Sequence, residues 1–124
     1  MTFDFSPNGP FDLTNQNQYF GGWPTLANKP EAIVMAFPVE GWKGSAAVTI
    51  WQNAKGQING RIHGPEETFE KAQQQALACL SLDIPAEDWS LVGKRDAVIG
   101  ELQTKYRLLR PILFHSPYEA AAGL

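Results

Sequence analysis

The sequence predicts an α+β protein, in which a small antiparallel sheet of four or five strands packs on an amphipathic helix and further helices follow. Three observations support this class. Strand-like runs separated by turns fill the first half of the chain, the apolar spacing becomes helical after Gly64, and helical patterns continue to the end. The sheet domain is expected at residues 1–82, and residues 83–124 are expected to begin a truncated helical domain.

The first 30 residues are rich in glycine and proline, which interrupt regular structure and favour an arm, a short strand and a short helical turn. Asp12 or Thr14 can cap that turn, which we place at residues 15–20. The pair Gly21-Gly22 is not a phosphate-binding loop, because no strand precedes it and no lysine followed by serine or threonine comes after it. This segment is predicted to be a turn.

Three strand-like runs come next in the chain. Alternation is clearest in the second run, where Val48 and Ile50 face one side and their neighbours face the other. Turn residues separate the runs, so they predict an antiparallel meander with one covered face. The runs lie at residues 32–39, 45–52 and 57–63.

Helical spacing begins after the strands. From Pro65 to Leu80 apolar residues recur every three or four positions, and polar side chains, Gln75 among them, occupy the outer face. A second helix is predicted at residues 85–92 with Trp89 facing inward, and a third at 96–106. The apolar residues assigned to the third helix are Val98, Ile99, Leu102 and Tyr106.

The last helix has a well-defined start. Ser116 is placed as its N-cap, Pro117 fits the first helical position, and the Glu119 carboxylate can accept a hydrogen bond from the Ser116 amide. A helix with such a start is expected to continue well beyond Leu124. We therefore expect the chain to be the front part of a longer protein.

Composition narrows the classes of function. The net charge of −3 argues against a broadly basic surface that binds nucleic acid. The segment after Gly93 is locally basic, however. It could contact phosphates, or it could form a solvated helix face with internal ion pairs. Cys79 is the single cysteine, so a buried thiol in a reducing cytoplasm is expected. We do not expect the N-terminal residues to form a signal peptide, and no apolar run is long enough to span a bilayer.

The sequence does not contain a recognisable catalytic or metal-binding pattern. His63, His115 and Cys79 lack the spacing of metal ligands, and no nucleophile elbow or triad context is present. We assign no catalytic residue, no metal and no cofactor. A small enzyme that assembles its site from scattered residues would need a deep polar pocket that the sequence does not indicate.

Seven segments, taken in order, are characteristic of one known family. They are Phe11-Asp12-Leu13, Gly21-Gly22-Trp23-Pro24, Gly41-Trp42, Leu80-Ser81-Leu82-Asp83, Lys94-Arg95-Asp96, Leu108-Leu109-Arg110-Pro111 and Phe114-His115-Ser116-Pro117-Tyr118-Glu119-Ala120-Ala121. With them the chain resembles, over nearly its whole length, the N-terminal part of the DNA-3-methyladenine glycosylase II-like branch of the helix-hairpin-helix DNA glycosylases. The resemblance implies a sheet related to the TATA-binding-protein fold, followed by a helical domain in which a catalytic aspartate assists cleavage of the N-glycosidic bond of a flipped, alkylated base without a metal.

The same resemblance places the hairpin and the catalytic aspartate beyond Leu124, so the chain by itself is expected to be inactive. The partner implied for the whole protein is double-stranded DNA with an alkylated base, in base-excision repair. Tyr19 and Phe20 are candidates for lining the base pocket. The candidates for DNA-backbone contacts are Lys105, Arg107, Arg110 and His115.

The alternative is a non-catalytic interaction module. A final helix without its packing partners would leave apolar surface exposed, and such surfaces promote association. In this interpretation the chain binds another protein or forms a homodimer through its C-terminal helix.

Overall fold

The computed structural model describes residues 1–19, 22–106 and 109–123. It contains a five-stranded antiparallel sheet with the strand order β1-β5-β4-β3-β2. Adjacent pairing of β3, β4 and β5 confirms the predicted meander, and the N-terminal β1 adds to the free side of β5. The strands are β1 (Thr2–Phe5), β2 (Thr25–Leu26), β3 (Lys29–Pro38), β4 (Ser45–Gln52) and β5 (Ile58–His63).

One face of the sheet forms the core. Val48 pairs with Met35 of β3 on one side and with Ile62 of β5 on the other, and all three side chains are buried. Helix α2 (Phe69–Cys79), preceded by a 3₁₀ turn at Glu66–Thr68, lies against β4 and β5. The sheet on an amphipathic helix is thus confirmed, and burial of this apolar face supplies the main driving force for folding.

Side-chain hydrogen bonds attach the N-terminal arm, residues 6–12 between β1 and α1, to the sheet. Asp12 caps α1 (Leu13–Tyr19) by accepting a hydrogen bond from the Asn15 amide at 2.8 Å. The side-chain amide of Gln52, at the end of β4, accepts from the Leu13 amide at 2.9 Å and donates to the Phe11 carbonyl at 3.1 Å. Leu13 therefore enters the core with its backbone amide satisfied.

Helices α3 (Trp89–Arg95) and α4 (Ala97–Lys105) form a hairpin whose apolar residues are more exposed than predicted. A Cβ added at Gly100 would lie 2.6 Å from the Gly93 carbonyl oxygen, so the backbones meet at these glycines. Trp89 is 51% exposed, and the prediction that it faces inward is wrong. Three residues assigned to the buried side of the third helix are also exposed: Val98, Leu102 and Tyr106.

Helix α5 (Pro117–Ala122) begins as predicted at Ser116, whose hydroxyl accepts from the Glu119 amide at 3.1 Å. The Glu119 carboxylate accepts from the amide of His115 at 2.7 Å rather than from that of Ser116. The reciprocal contact of the capping box is therefore moved by one residue, and it fixes the segment that precedes the helix.

Candidate functional site

The segment that connects the helical hairpin to α5 packs against the end of α2, and we call residues 109–116 the strap. The Leu113 amide donates to the Cys79 carbonyl at 2.8 Å, and the Cys79 thiol donates to the Leu113 carbonyl at 3.0 Å. The Gln75 side chain donates to the His115 carbonyl at 2.8 Å. Gln75 is 6% exposed, so its predicted place on the outer face of the helix is wrong.

Arg110 lies near the start of the strap and is 6% exposed. Its guanidinium donates to the carbonyl of Ser81 at 3.0 Å, to that of Ile84 at 3.2 Å and to that of Pro10 at 3.3 Å, with a further short hydrogen bond to the Asn8 carbonyl. Burial lowers the pKa of the guanidinium, and the negative charge of Glu87 partly offsets this effect. One side chain thus joins the N-terminal arm, the loop after α2 and the strap.

We call the contacts around the Arg110 side chain the junction, and two further polar residues, Gln16 and Ser81, complete it. Gln16 of α1 is fully buried, and its side chain accepts from the Arg110 amide at 2.9 Å and donates to the Arg110 carbonyl. Ser81, just after α2, has a φ of 55°, a left-handed conformation that glycine adopts more readily. Its hydroxyl donates to the Pro111 carbonyl at 2.6 Å, which explains a serine at this position.

An apolar groove of about 510 Å³ lies beside the junction. Its lining residues include Ser81, Arg110 and the exposed Trp89. Glu87 and Asp88 also line it. An apolar groove with a few polar groups is the usual form of a ligand site, and this one lies between the loop after α2, helix α3 and the strap.

His115 occupies the other end of the strap. Its ring stacks on Phe37 of β3 with the ring centres 4.4 Å apart, and the side chain is 14% exposed. Nδ1 lies 3.2 Å from the Glu119 carboxylate, while the buried Nε2 has no hydrogen-bond partner among the residues that the structure describes. The imidazole therefore packs between β3 and α5.

The candidates for DNA-backbone contacts occupy different environments. Lys105 is exposed near the end of α4, with its ammonium 5.3 Å from the Tyr106 ring centre. Arg110 cannot reach a phosphate in this structure, because its donors are committed to buried carbonyl groups. The outward nitrogen of His115 faces Glu119 instead of solvent. Arg107 lies outside the described residues.

The two base-pocket candidates are not located by the structure. Tyr19 is the last residue of α1, and its side chain lies outside the described part of the chain. Phe20 also lies outside it. Gln16 was not identified from the sequence, and Ser81 was named there only within the segment Leu80-Ser81-Leu82-Asp83. A glutamine on the buried side of a helix and a serine at a helix C-terminus were the signals available.

Comparisons with known proteins identify no relative: no protein-family model, no curated protein and no solved structure matches the chain. Over residues 1–19, 22–106 and 109–123, no group of three or more histidine, cysteine, aspartate or glutamate side chains is arranged to hold a metal ion. Within the same ranges, no helix combines the length and the apolar character needed to traverse a bilayer.

Cys79 is buried, as predicted, and its environment disfavours the thiolate. Burial, followed by the negative charge of Glu119, raises its pKa from an ordinary value of 9.0 to about 11, although the hydrogen bond to Leu113 acts in the opposite direction. A neutral thiol of this kind is a poor nucleophile and a poor metal ligand.

The free energy of unfolding is expected to fall as the pH rises from 9.0 to about 11, because the native thiol keeps its proton where the unfolded thiol loses it. The loss attributable to Cys79 is on the order of 2 kcal/mol. Urea denaturation at several pH values measures it, with Cys79→Ala as the control that removes this contribution. Identical pH slopes for the two proteins would contradict the assignment.

Proposed function

We propose that this chain is the N-terminal part of a DNA glycosylase that excises alkylated bases by hydrolysing the N-glycosidic bond in base-excision repair. The observation that carries the proposal is that three of the resembling segments meet at Arg110. The Phe11 ring centre lies 5.7 Å from the Arg110 guanidinium carbon, and Ser81 accepts a hydrogen bond from the same group. Segments distant in sequence therefore share one buried residue, which supports the view that they form one scaffold.

In this proposal the chain supplies the scaffold, and the helices that follow Leu124 supply the helix-hairpin-helix and the catalytic aspartate. The helical part would bind the DNA duplex and extrude the damaged base, which costs least for a weakly paired base. Tyr19 and Phe20 would form one wall of the base pocket, and Lys105 and Arg107 would contact the DNA backbone. The neutral thiol of Cys79 is compatible with the proposed cytoplasmic location.

The test is release of methylated bases from alkylated duplex DNA under single-turnover conditions. The 124-residue chain is expected to release none, and a chain extended along its own reading frame through the following helices is expected to release them. Robust release by the 124-residue chain, or none by a folded extended chain, would reject the proposal. With a net charge of −3, the 124-residue chain is also expected to bind DNA weakly at physiological salt.

The second candidate function is self-association through α5, and the exposure of aromatic side chains near this helix favours it. Phe114 is 52% exposed and Tyr118 is 63% exposed. Large exposed apolar side chains promote association when they form a continuous patch. Sedimentation velocity over a range of concentrations distinguishes the two candidates, because a clean monomer at high concentration excludes the homodimer.

A further inference from the structure

Trp42 is held in solvent by a strained turn between β3 and β4. Its indole is 63% exposed and its φ is 59°, a left-handed conformation that is unfavourable for a bulky residue. The Trp42 amide donates to the Val39 carbonyl at 3.0 Å, and the Val39 amide donates to the Gly44 carbonyl at 2.9 Å, so the turn is firmly closed. Backbone strain combined with an exposed aromatic ring is typical of binding sites.

Tyr118 provides the second aromatic ring of the same surface. It is 63% exposed on the first turn of α5, and its ring lies edge-on to Trp42 with the ring centres 4.9 Å apart and the planes at 89°. A cavity of about 170 Å³ lies at this pair and is also lined by Pro38 and Pro117. We call it the Trp42–Tyr118 cleft. Its two rings come from separate elements, and the Ser116 cap fixes the start of the helix that carries Tyr118.

The cleft also carries a carboxylate that can select for charge. Glu40 lines it, and its side chain is 54% exposed. Its partner is the Lys71 ammonium at 4.0 Å, which is similarly exposed. Exposed ion pairs of this type contribute little to stability. A cation on a ligand can therefore share the Glu40 carboxylate with Lys71, or displace the Lys71 ammonium from it, at a small cost in free energy.

We infer that the Trp42–Tyr118 cleft binds a proline-rich peptide segment that contains a basic residue. Aromatic-lined grooves recognise polyproline II segments, whose rings pack against the aromatic faces. Such segments have no internal hydrogen bonds and are already extended before binding, so little conformational entropy is lost. The basic residue of the peptide would then lie against the Glu40 carboxylate.

The test is fluorescence anisotropy of a dye-labelled, blocked peptide of consecutive prolines followed by arginine. Saturable binding to the 124-residue chain is expected, and Trp42→Asn and Tyr118→Ala are each expected to weaken it at least about tenfold. Val98→Asn is the control, because Val98 is also a strongly exposed apolar residue but lies on α4 and does not line the cleft, and it is expected to leave affinity unchanged. Glu40→Gln is expected to reduce affinity for the arginine peptide and not for a peptide of prolines alone.

Asparagine tolerates the left-handed conformation, so Trp42→Asn is expected to fold with a thermal midpoint no lower than that of the parent chain. The inference is overturned if binding is not saturable, if Trp42→Asn binds as well as the parent chain, or if a glycine-serine peptide ending in arginine binds equally well. It is also overturned if sedimentation shows that a second copy of the chain occupies the cleft.

Discussion

Replacement of Arg110 by methionine is expected to lower the free energy of unfolding by about 3 kcal/mol, the largest effect that we expect for a single substitution. Methionine retains part of the apolar stem but removes every donor. Four carbonyl groups would lose the hydrogen bonds that the guanidinium donates: those of Asn8, Pro10, Ser81 and Ile84. The Ser81 carbonyl, whose hydrogen bond is buried, would be left without a donor. The arm, the loop and the strap would then separate more readily.

The matched control is Lys105→Met, which removes the same charge from an exposed position on α4. It is expected to change stability by no more than about 0.5 kcal/mol. Arg110→Lys is expected to be intermediate, since an ammonium group keeps the charge but not the planar fork of donors. Urea denaturation with an unchanged m-value measures all three, and similar midpoints for Arg110→Met and Lys105→Met would refute the role of the junction.

The strands and the main helix could be predicted because their apolar residues repeat with the period of the element. In β4 the alternation around Val48 and Ile50 predicts both the strand and its buried face, and the observed bounds, Ser45–Gln52, agree with the predicted ones. Ser116 likewise caps the helix that follows it, as predicted. Local signals were sufficient wherever local structure and the tertiary fold favour the same conformation.

The junction could not be predicted, because no local pattern indicates where a buried arginine finds its acceptors. Arg110 is bonded to carbonyl groups between 26 and 102 positions away in the sequence. A basic residue near others of its kind was instead interpreted as a DNA contact. The predicted burial of the hairpin's apolar residues was wrong for a different reason. The backbones of the two helices approach closely at Gly93 and Gly100, and this contact holds the helices together, so Trp89 and Val98 are free to face solvent.

Substitution of Gly60 by alanine is expected to lower the free energy of unfolding by about 2–3 kcal/mol, the second-largest loss after that of Arg110→Met. The reason is that the Phe3 ring lies directly over this residue of β5. A Cβ at Gly60 would be 2.2 Å from the nearest Phe3 ring carbons. Phe3 is 8% exposed and pairs with Gly60 across the β1–β5 ladder, so the ring would have to leave the core or β1 would have to move from β5. Chemical denaturation measures the loss, and amide exchange in β1 reports whether the strand detaches.

A double-mutant cycle separates this clash from a general intolerance of β5 to alanine. Phe3→Ala by itself is expected to be destabilising, because it removes a ring from the core. Once the ring is absent, however, addition of Gly60→Ala is expected to cost little, since no atom then occupies the space of the new methyl group. The two substitutions should therefore couple strongly, with the double variant close in stability to Phe3→Ala. If the losses in the free energy of unfolding are instead additive, Gly60 is needed for the conformation of the β5 backbone and not to make room for the Phe3 ring.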